Sequence, residues 1–165
     1  MRPFIVIMGV SGCGKTTIAS RLAEELGGTY LEGDSFHTAA NKAKMGAGMP
    51  LTDKDRWPWF DILISAARTE LDHNRPAVLS CSALKQNYRD YLLADFEPHR
   101  LIYLKGSFEL IKNRMDEREH EYMTSTLLES QFATLEEPRE GSNSLTLSIK
   151  NAPETIISTA LKWLT

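Results

Sequence analysis

The feature that most constrains this sequence is a glycine-rich motif near its amino terminus, GVSGCGKT at residues 9–16. The motif matches the pattern G-x-x-x-x-G-K-[ST] at every fixed position. An apolar, strand-like run precedes it, and an apolar stripe of helical period follows it. A glycine-rich turn between a strand and a helix points several backbone N–H groups inward, where they bind phosphate oxygens. The motif therefore predicts a nucleotide site.

Each part of the motif has its own predicted task. The glycines let the backbone wrap around phosphate groups without side-chain clashes. We expect Lys15 to reach the β- and γ-phosphates of ATP and the Thr16 hydroxyl to ligate Mg²⁺. The full set of predicted nucleotide-binding residues is Gly9, Val10, Ser11, Gly12, Cys13, Gly14, Lys15, Thr16 and Thr17.

Strand-like runs alternate with helical patterns along the chain. The predicted strands are residues 3–8, 29–32, 77–81, 100–105 and 144–149. The first, third and fourth lack polar alternation, which is typical of parallel strands covered on both faces. Asn151 is predicted to cap the last helix, with Glu154 completing a capping box. The pattern predicts an α/β protein with the three-layer P-loop NTPase fold, a five-stranded parallel sheet flanked by helices.

The length and net charge of the chain limit its number of domains and its kinds of partner. A chain of 165 residues with a net charge of −3 suits a single domain, predicted to span residues 1–165. The slightly acidic balance argues against a nucleic-acid binder, and no apolar run approaches the roughly 20 residues that span a bilayer. With only 2 cysteines, a disulfide framework cannot be built. We therefore expect a cytoplasmic protein with no membrane or nucleic-acid partner.

The positions of acidic residues distinguish a small-molecule kinase from a GTPase and from a motor ATPase. The sequence contains no D-x-x-G element, and NKAK at residues 41–44 lacks the final acid of the base-reading motif N-K-x-D, which weighs against a GTPase. The third predicted strand ends in SCS, without the acid of a motor ATPase. Asp34 instead follows the second strand, at the sheet edge where ligands bind. We expect it to orient or deprotonate an acceptor hydroxyl and to hold a water of Mg²⁺, as in a small-molecule kinase.

Blocks of sequence beyond the phosphate motif resemble the gluconokinase family of P-loop kinases. Besides residues 9–16, the blocks that carry the resemblance are EGD at 32–34, KM at 44–45, PLTDKDRWPW at 50–59, CSALK at 81–85, YRD at 88–90, YLKG at 103–106 and SQF at 130–132. They keep the family's order from about residue 4 to about residue 138. Many families share the phosphate motif, whereas the later blocks are far more specific.

The resemblance implies a nucleoside-monophosphate-kinase-like fold with a mobile lid, acting as a homodimer. It also implies ATP- and Mg²⁺-dependent phosphorylation of D-gluconate to 6-phospho-D-gluconate. Gluconate carries one carboxylate and a row of hydroxyls, so its pocket needs cations together with paired donors and acceptors. The predicted substrate-binding segment spans residues 34–60, and the predicted substrate-binding residues are Asp34, His37, Lys44, Arg56, Lys85 and Arg89.

The predicted lid spans residues 114–126. Arg114 and Arg118 are four residues apart and share one helix face, from which both can clamp the developing phosphate charge. His120 lies one position earlier than the histidine of the family's lids. The predicted catalytic residues are Lys15, Asp34, Arg114 and Arg118, and the predicted metal ligands are Thr16 and Asp34.

Two other interpretations stay open at this point. The chain could be another P-loop small-molecule kinase, of the shikimate or nucleoside monophosphate type. It could also be a non-catalytic switch protein that binds a nucleotide, although the missing switch and base-reading motifs weigh against that class.

Overall fold

The computed structural model describes residues 2–117 and 125–165, with only the backbone described at residue 125. Within these ranges the chain forms five strands and seven α-helices. The strands are β1 (Phe4–Met8), β2 (Thr29–Glu32), β3 (Ala77–Ser80), β4 (His99–Lys105) and β5 (Ser144–Ser148). The helices are α1 (Lys15–Leu26), α2 (Ala39–Gly46), α3 (Asp53–Asp72), α4 (Gln86–Leu93), α5 (Phe108–Glu117), α6 (Ser125–Thr134) and α7 (Pro153–Leu164). None of the helices in the two described ranges is long and apolar enough to cross a membrane.

All five strands are parallel and lie in the order β2-β3-β1-β4-β5. The central strand β1 is buried at every position, from Phe4 to Met8. A strand covered on both faces has no solvent side, which explains why its sequence lacks polar alternation. The predicted five-stranded parallel sheet with flanking helices is confirmed.

Two hydrophobic cores cover the two faces of the sheet. One core contains buried side chains of α1, α5, α6 and α7, among them Leu22 and Ile156. The other contains buried side chains of α3 and α4, among them Phe60 and Leu92. The sheet lies between these helical layers, so the domain has three layers.

The chain leaves the neighbouring strands β1 and β3 toward opposite faces of the sheet. Helix α1 follows β1 and packs in the first core, whereas α4 follows β3 and packs in the second. This divergence opens a crevice between the carboxyl ends of the two strands, which is where ligands bind in open α/β sheets. A 3₁₀ turn, Gly33–Phe36, follows β2 at the same edge. The phosphate motif and the turn that carries Asp34 therefore lie at one edge of the sheet.

The start of the last helix differs from the prediction. Its N-cap residue is Ala152, which makes no side-chain hydrogen bond to the first turn, and Pro153 is the first helical residue. The side-chain amide of Asn151 instead donates to the Ser148 carbonyl at 3.2 Å, in the turn that leaves β5. The prediction that Asn151 caps α7 is therefore wrong, because Ala152 is the N-cap and Asn151 lies one residue before it.

Candidate active site

The phosphate motif forms a tight loop between β1 and α1. Gly12 has a φ of +84°, in the left-handed region that favours glycine, and a Cβ atom there would lie 2.9 Å from the Met115 Cγ atom. Gly14, the N-cap of α1, is also left-handed, and as a glycine it has no side chain to cap the first turn of the helix. The backbone N–H groups of that turn are therefore available to an anion in front of the helix.

The Lys15 side chain folds back over the loop. Its ammonium group donates to the Gly9 carbonyl at 3.0 Å and to the Val10 carbonyl at 3.1 Å. The side chains of Val10 and Cys13 are buried behind the loop, with exposed fractions of 2% and 3%. These two predicted nucleotide-binding residues can therefore contribute only backbone groups.

A cavity of about 410 Å³ lies in front of the loop. One wall is formed by Ser11, Gly12 and Gly14 of the loop and by the first turn of α1, including Thr16 and Thr17. Asp34 lines the same cavity, and so do the residues that end β3. Arg114 of α5 also lines it and donates to the Ile149 carbonyl at 2.6 Å. The structure thus brings together three of the predicted catalytic residues, Lys15, Asp34 and Arg114, in a cavity of the size that small-molecule ligands occupy.

The fourth predicted catalytic residue, Arg118, lies outside the described residues, as do His120 and most of the predicted lid. Their roles stay predictions. Helix α5 ends at Glu117, so it leads directly from the cavity at Arg114 to that segment.

Asp34 projects from a turn that is fixed on its core side. The Asp34 side chain is 90% exposed. One residue earlier, the Gly33 carbonyl accepts a hydrogen bond of 2.9 Å from the indole N–H of Trp59, which is buried. Because a buried partner holds the adjacent peptide, the Asp34 carboxylate reaches the cavity from a backbone position that packing fixes.

His37 supports the same turn. Its ring stacks on Trp59 with the ring centroids 4.0 Å apart, and the residue is 9% exposed. The Asn41 side-chain amide donates to its Nδ1 atom at 3.4 Å, while its Nε2 atom lies 3.8 Å from the Asp34 carboxylate. Burial lowers the pKa of His37 below its ordinary value, so the ring is neutral at pH 7. The structure therefore places His37 as a largely buried neighbour of Asp34, and a contact with substrate stays a prediction.

A second group of charges lies between α2 and the start of α3. The Lys44 ammonium group lies 2.6 Å from the Asp55 carboxylate. Asp55 also forms a capping box with Thr52, which fixes the first turn of α3. The hydrogen bond from Lys44 and the one from the Thr52 N–H lower the pKa of Asp55 to about 2. Lys44 is thus held at the N-terminus of α3 by a carboxylate that the helix itself positions.

Tyr88 of α4 lies next to two more of the predicted substrate cations, Lys85 and Arg56. Its hydroxyl donates to the Asp53 carboxylate at 2.5 Å, and the Lys85 ammonium group lies 3.3 Å from the same oxygen. The Arg56 guanidinium carbon lies 5.3 Å from the Tyr88 ring centroid, within cation–π range. Burial and the hydrogen bond to Asp53 raise the pKa of Tyr88 to about 12, so the phenol stays protonated.

Arg89 has a different role from the predicted one. It is 2% exposed, and its guanidinium donates to the carbonyls of Ala83, Leu84 and Glu136 at 2.7–3.0 Å. A guanidinium that is almost fully buried and bonded to protein carbonyls braces the loop before α4 and does not line the cavity in front of the phosphate loop. The substrate-binding prediction for Arg89 is therefore corrected to a structural role.

Three residues beside the predicted set contribute to the site. Glu32 lines the cavity next to Asp34, and Asp53 and Tyr88 position Lys85. Their sequence signal was their place in the blocks at 32–34, 50–59 and 88–90. Position in a block marks such residues as candidates, but it does not reveal which cation each of them holds.

The oxygen atoms around the loop suit Mg²⁺. The Thr16 hydroxyl and the carboxylates of Glu32 and Asp34 border the same cavity, and hard oxygen donors are the ligands that Mg²⁺ prefers. Among the described residues, no group of three or more His, Cys, Asp or Glu side chains could hold a metal ion. In kinases, Mg²⁺ binds only one or two protein oxygens, and substrate phosphates and waters supply its other ligands. A small set of protein donors therefore fits this ion.

The chain is similar to known proteins over most of its length. The family model described as "AAA domain" matches residues 4–140. A gluconokinase from Gluconobacter oxydans (strain 621H) is 40% identical over 159 residues, covering 96% of this chain and 89% of the relative. The thermoresistant gluconokinase of Escherichia coli (strain K12) is 43% identical over 134 residues, covering 81% and 76% respectively. Among solved structures, a gluconokinase from Sinorhizobium meliloti 1021 matches with a TM-score of 0.86 and 38% identity, covering 99% of this chain and 93% of that one.

Proposed function

The chain belongs to the gluconokinase family of P-loop kinases, and we propose that it transfers the γ-phosphoryl group of ATP to D-gluconate, forming 6-phospho-D-gluconate. The observation that carries this proposal is the shared cavity, in which the phosphate loop, Asp34 and Arg114 meet. The relatives named gluconokinase do not favour the alternatives of a shikimate kinase, a nucleoside monophosphate kinase or a switch protein.

The phosphate loop holds the triphosphate. Backbone N–H groups of the loop and of the first turn of α1 bind its oxygens, and Lys15 moves from the carbonyls of the loop to the β- and γ-phosphates. Mg²⁺, when bound by the Thr16 hydroxyl and through water by Asp34, supplies positive charge that offsets the negative charge on the same phosphates.

Asp34 aligns the acceptor. Its carboxylate accepts a hydrogen bond from the terminal hydroxyl of gluconate and receives the proton as the new P–O bond forms. Trp59 fixes the preceding peptide, so little reorganisation is needed to bring the hydroxyl in line with the γ-phosphorus.

The cations on the acceptor side recognise the gluconate carboxylate and hydroxyls. Lys44 pairs with Asp55 and Lys85 pairs with Asp53, so each lysine reaches toward gluconate from a position that its carboxylate partner fixes. Arg56, which lies over the Tyr88 ring, contributes a planar guanidinium suited to a carboxylate. The pocket therefore offers both a charge match for the acid group and hydrogen-bond acceptors for the hydroxyls.

Arg114 and Arg118 complete the site from the segment 114–126, which we assign as the lid. Arg114 already lines the cavity, and Arg118 follows four residues later in sequence. Both stabilise the charge that develops on the transferring group. Closure of the lid excludes water, which would otherwise accept the phosphoryl group in place of gluconate.

The same proposal covers the organisation of the protein. A single kinase domain spans residues 1–165, with the phosphate loop at 9–16 and the substrate-binding segment at 34–60. It works as a cytoplasmic homodimer, as the family resemblance implies. Light scattering coupled to size-exclusion chromatography tests the dimer, and a monomer at micromolar concentration would contradict it.

A panel of acceptors tests the function. The protein is incubated with ATP and Mg²⁺ and with gluconate, other sugar acids, shikimate or nucleoside monophosphates, and ADP release is followed for each. We expect gluconate to give the highest kcat/KM. Turnover of another acceptor without turnover of gluconate would contradict the assigned substrate, whereas ATP binding without turnover of any acceptor would indicate a switch protein.

A further inference from the structure

A reciprocal pair of hydrogen bonds joins helix α6 to the phosphate loop. The backbone N–H of Ser11 donates to the Gln131 side-chain oxygen at 2.7 Å, and the Gln131 amide nitrogen donates back to the Ser11 hydroxyl at 3.0 Å. One side-chain amide therefore holds both the backbone and the side chain of a single loop residue. The partners are 120 residues apart in sequence, so this contact exists only in the folded domain.

Ser11 occupies a sensitive position in the loop. It lies between Val10, whose carbonyl accepts from Lys15, and Gly12, whose left-handed φ turns the chain toward α1. A rotation at Ser11 would displace both neighbours, and with them the ammonium group and the N–H groups of the loop. Both hydrogen bonds to Gln131 are partly buried, so water competes with them less than with exposed bonds.

The chain just after α6 is anchored on the acceptor side. The Glu136 N–H donates to the Leu84 carbonyl at 2.8 Å, and the Glu136 carboxylate accepts from the Gln86 N–H at 2.9 Å. These two partners flank Lys85, which the proposed function places on gluconate. Residues 131–136 therefore connect the phosphate loop with the loop that carries a substrate cation.

We propose that Gln131 is a positioning residue whose side-chain amide holds Ser11 and so preorganises the phosphate loop for the triphosphate. A loop already held in its binding conformation loses less conformational freedom when the nucleotide binds. The proposal rests on the proposed function only where its test measures KM values, which require turnover of gluconate. The Kd for the nucleotide can be measured without an acceptor.

Gln131→Met removes the amide and keeps the length of the side chain. We expect the Kd of a non-hydrolysable ATP analogue, measured by calorimetry, and the KM for ATP to rise roughly tenfold, with the KM for gluconate changing less than about twofold. Glu129→Ala, an exposed position on the same helix, is the matched control and should leave all three values unchanged. An unchanged Kd in Gln131→Met would overturn the proposal.

A double-mutant cycle separates positioning from a general effect on folding. Ser11→Ala removes the hydroxyl that accepts from Gln131, so it should weaken nucleotide binding less in the Gln131→Met background than in the unmodified chain. Additive penalties would overturn the proposal, and so would a rise of both KM values together with a matching fall in Tm. If gluconate were not turned over at all, the proposed function would fail, while the calorimetric comparison would still decide the role of Gln131.

Discussion

The two sides of the candidate active site are held in place by different kinds of interaction. On the phosphate side, backbone groups hold the essential side chain, since Lys15 donates to two carbonyls of its own loop. On the acceptor side, charged side chains hold one another, as in the pairs Lys44–Asp55 and Lys85–Asp53. Backbone carbonyls neither titrate nor vary with side-chain identity, whereas ion pairs respond to pH, salt and substitution.

This difference divides the site into a part that backbone conformation fixes and a part that side-chain substitutions can adjust. The phosphate side depends on a local backbone conformation, which few sequences other than the motif can form. The acceptor side depends on which charged side chains it carries, so we expect single substitutions there to change the substrate without changing the reaction. If the two sides are independent, substitutions on the phosphate side should mainly lower kcat, whereas substitutions on the acceptor side should mainly weaken the binding of gluconate.

The largest effect is expected on the phosphate side. Lys15→Met removes the only side-chain charge of the loop, so we expect kcat to fall by about 10³-fold, the order lost with one preorganised transition-state donor. The fold should persist, because Lys15 bonds only to carbonyls of its own loop. Steady-state kinetics with a thermal melt checks both points. Lys54→Met, an exposed lysine of α3, is the control, and an equal loss there would mean that the effect is not local.

A smaller and more selective effect is expected on the acceptor side. Lys44→Met removes one proposed partner of gluconate, so the KM for gluconate should rise by roughly 10- to 100-fold, as expected for a charged hydrogen bond. The KM for ATP should change little, because Lys44 lies on α2 and pairs with α3, away from the phosphate loop. Equal changes in the KM for gluconate and the KM for ATP would contradict the proposal that the two sides bind their substrates independently.

The smallest effect concerns stability at low pH. The pKa of Asp55 is lowered from 3.8 to about 2 in the folded chain, so its ion pair with Lys44 stabilises the fold above about pH 4. That contribution is lost as the pH falls from about 4 to about 2, because the carboxylate then binds a proton. Melts across this range should show a shallower fall in Tm for Asp55→Asn than for the unmodified chain. Asp72→Asn, an exposed carboxylate at the end of α3, should keep the original slope.

The sequence predicted those parts of the molecule that depend on residues close together in the chain. The phosphate loop is eight consecutive residues, and strands β1, β3 and β4 contain short apolar runs, so these features were found directly. Asp34 was found because it lies two residues after the end of a strand. The predicted N-cap of α7 was wrong by one residue, since Asn151 and Ala152 both precede Pro153 and the sequence does not say at which of them the helix begins.

Contacts between distant segments could not be predicted. Arg89 lies in a block rich in charged residues, yet its guanidinium is enclosed by carbonyls from residues 83–84 and from Glu136. The bonds between Ser11 and Gln131 likewise require α6 to pack against the phosphate loop. Sequence blocks mark such residues as candidates, but only the fold shows whether a charged or polar group faces a ligand or another part of the chain.

The two sides of the site must meet at the transferring phosphoryl group, and Asp34 is the residue proposed to align the acceptor there. Steady-state kinetics of Asp34→Asn, with gluconate and ATP each varied, tests this most directly. We predict a fall in kcat of about 10²–10⁴-fold, because the amide cannot accept the proton, with both KM values within about threefold. A kcat close to that of the unmodified chain would contradict the account and assign the alignment of the acceptor to another residue.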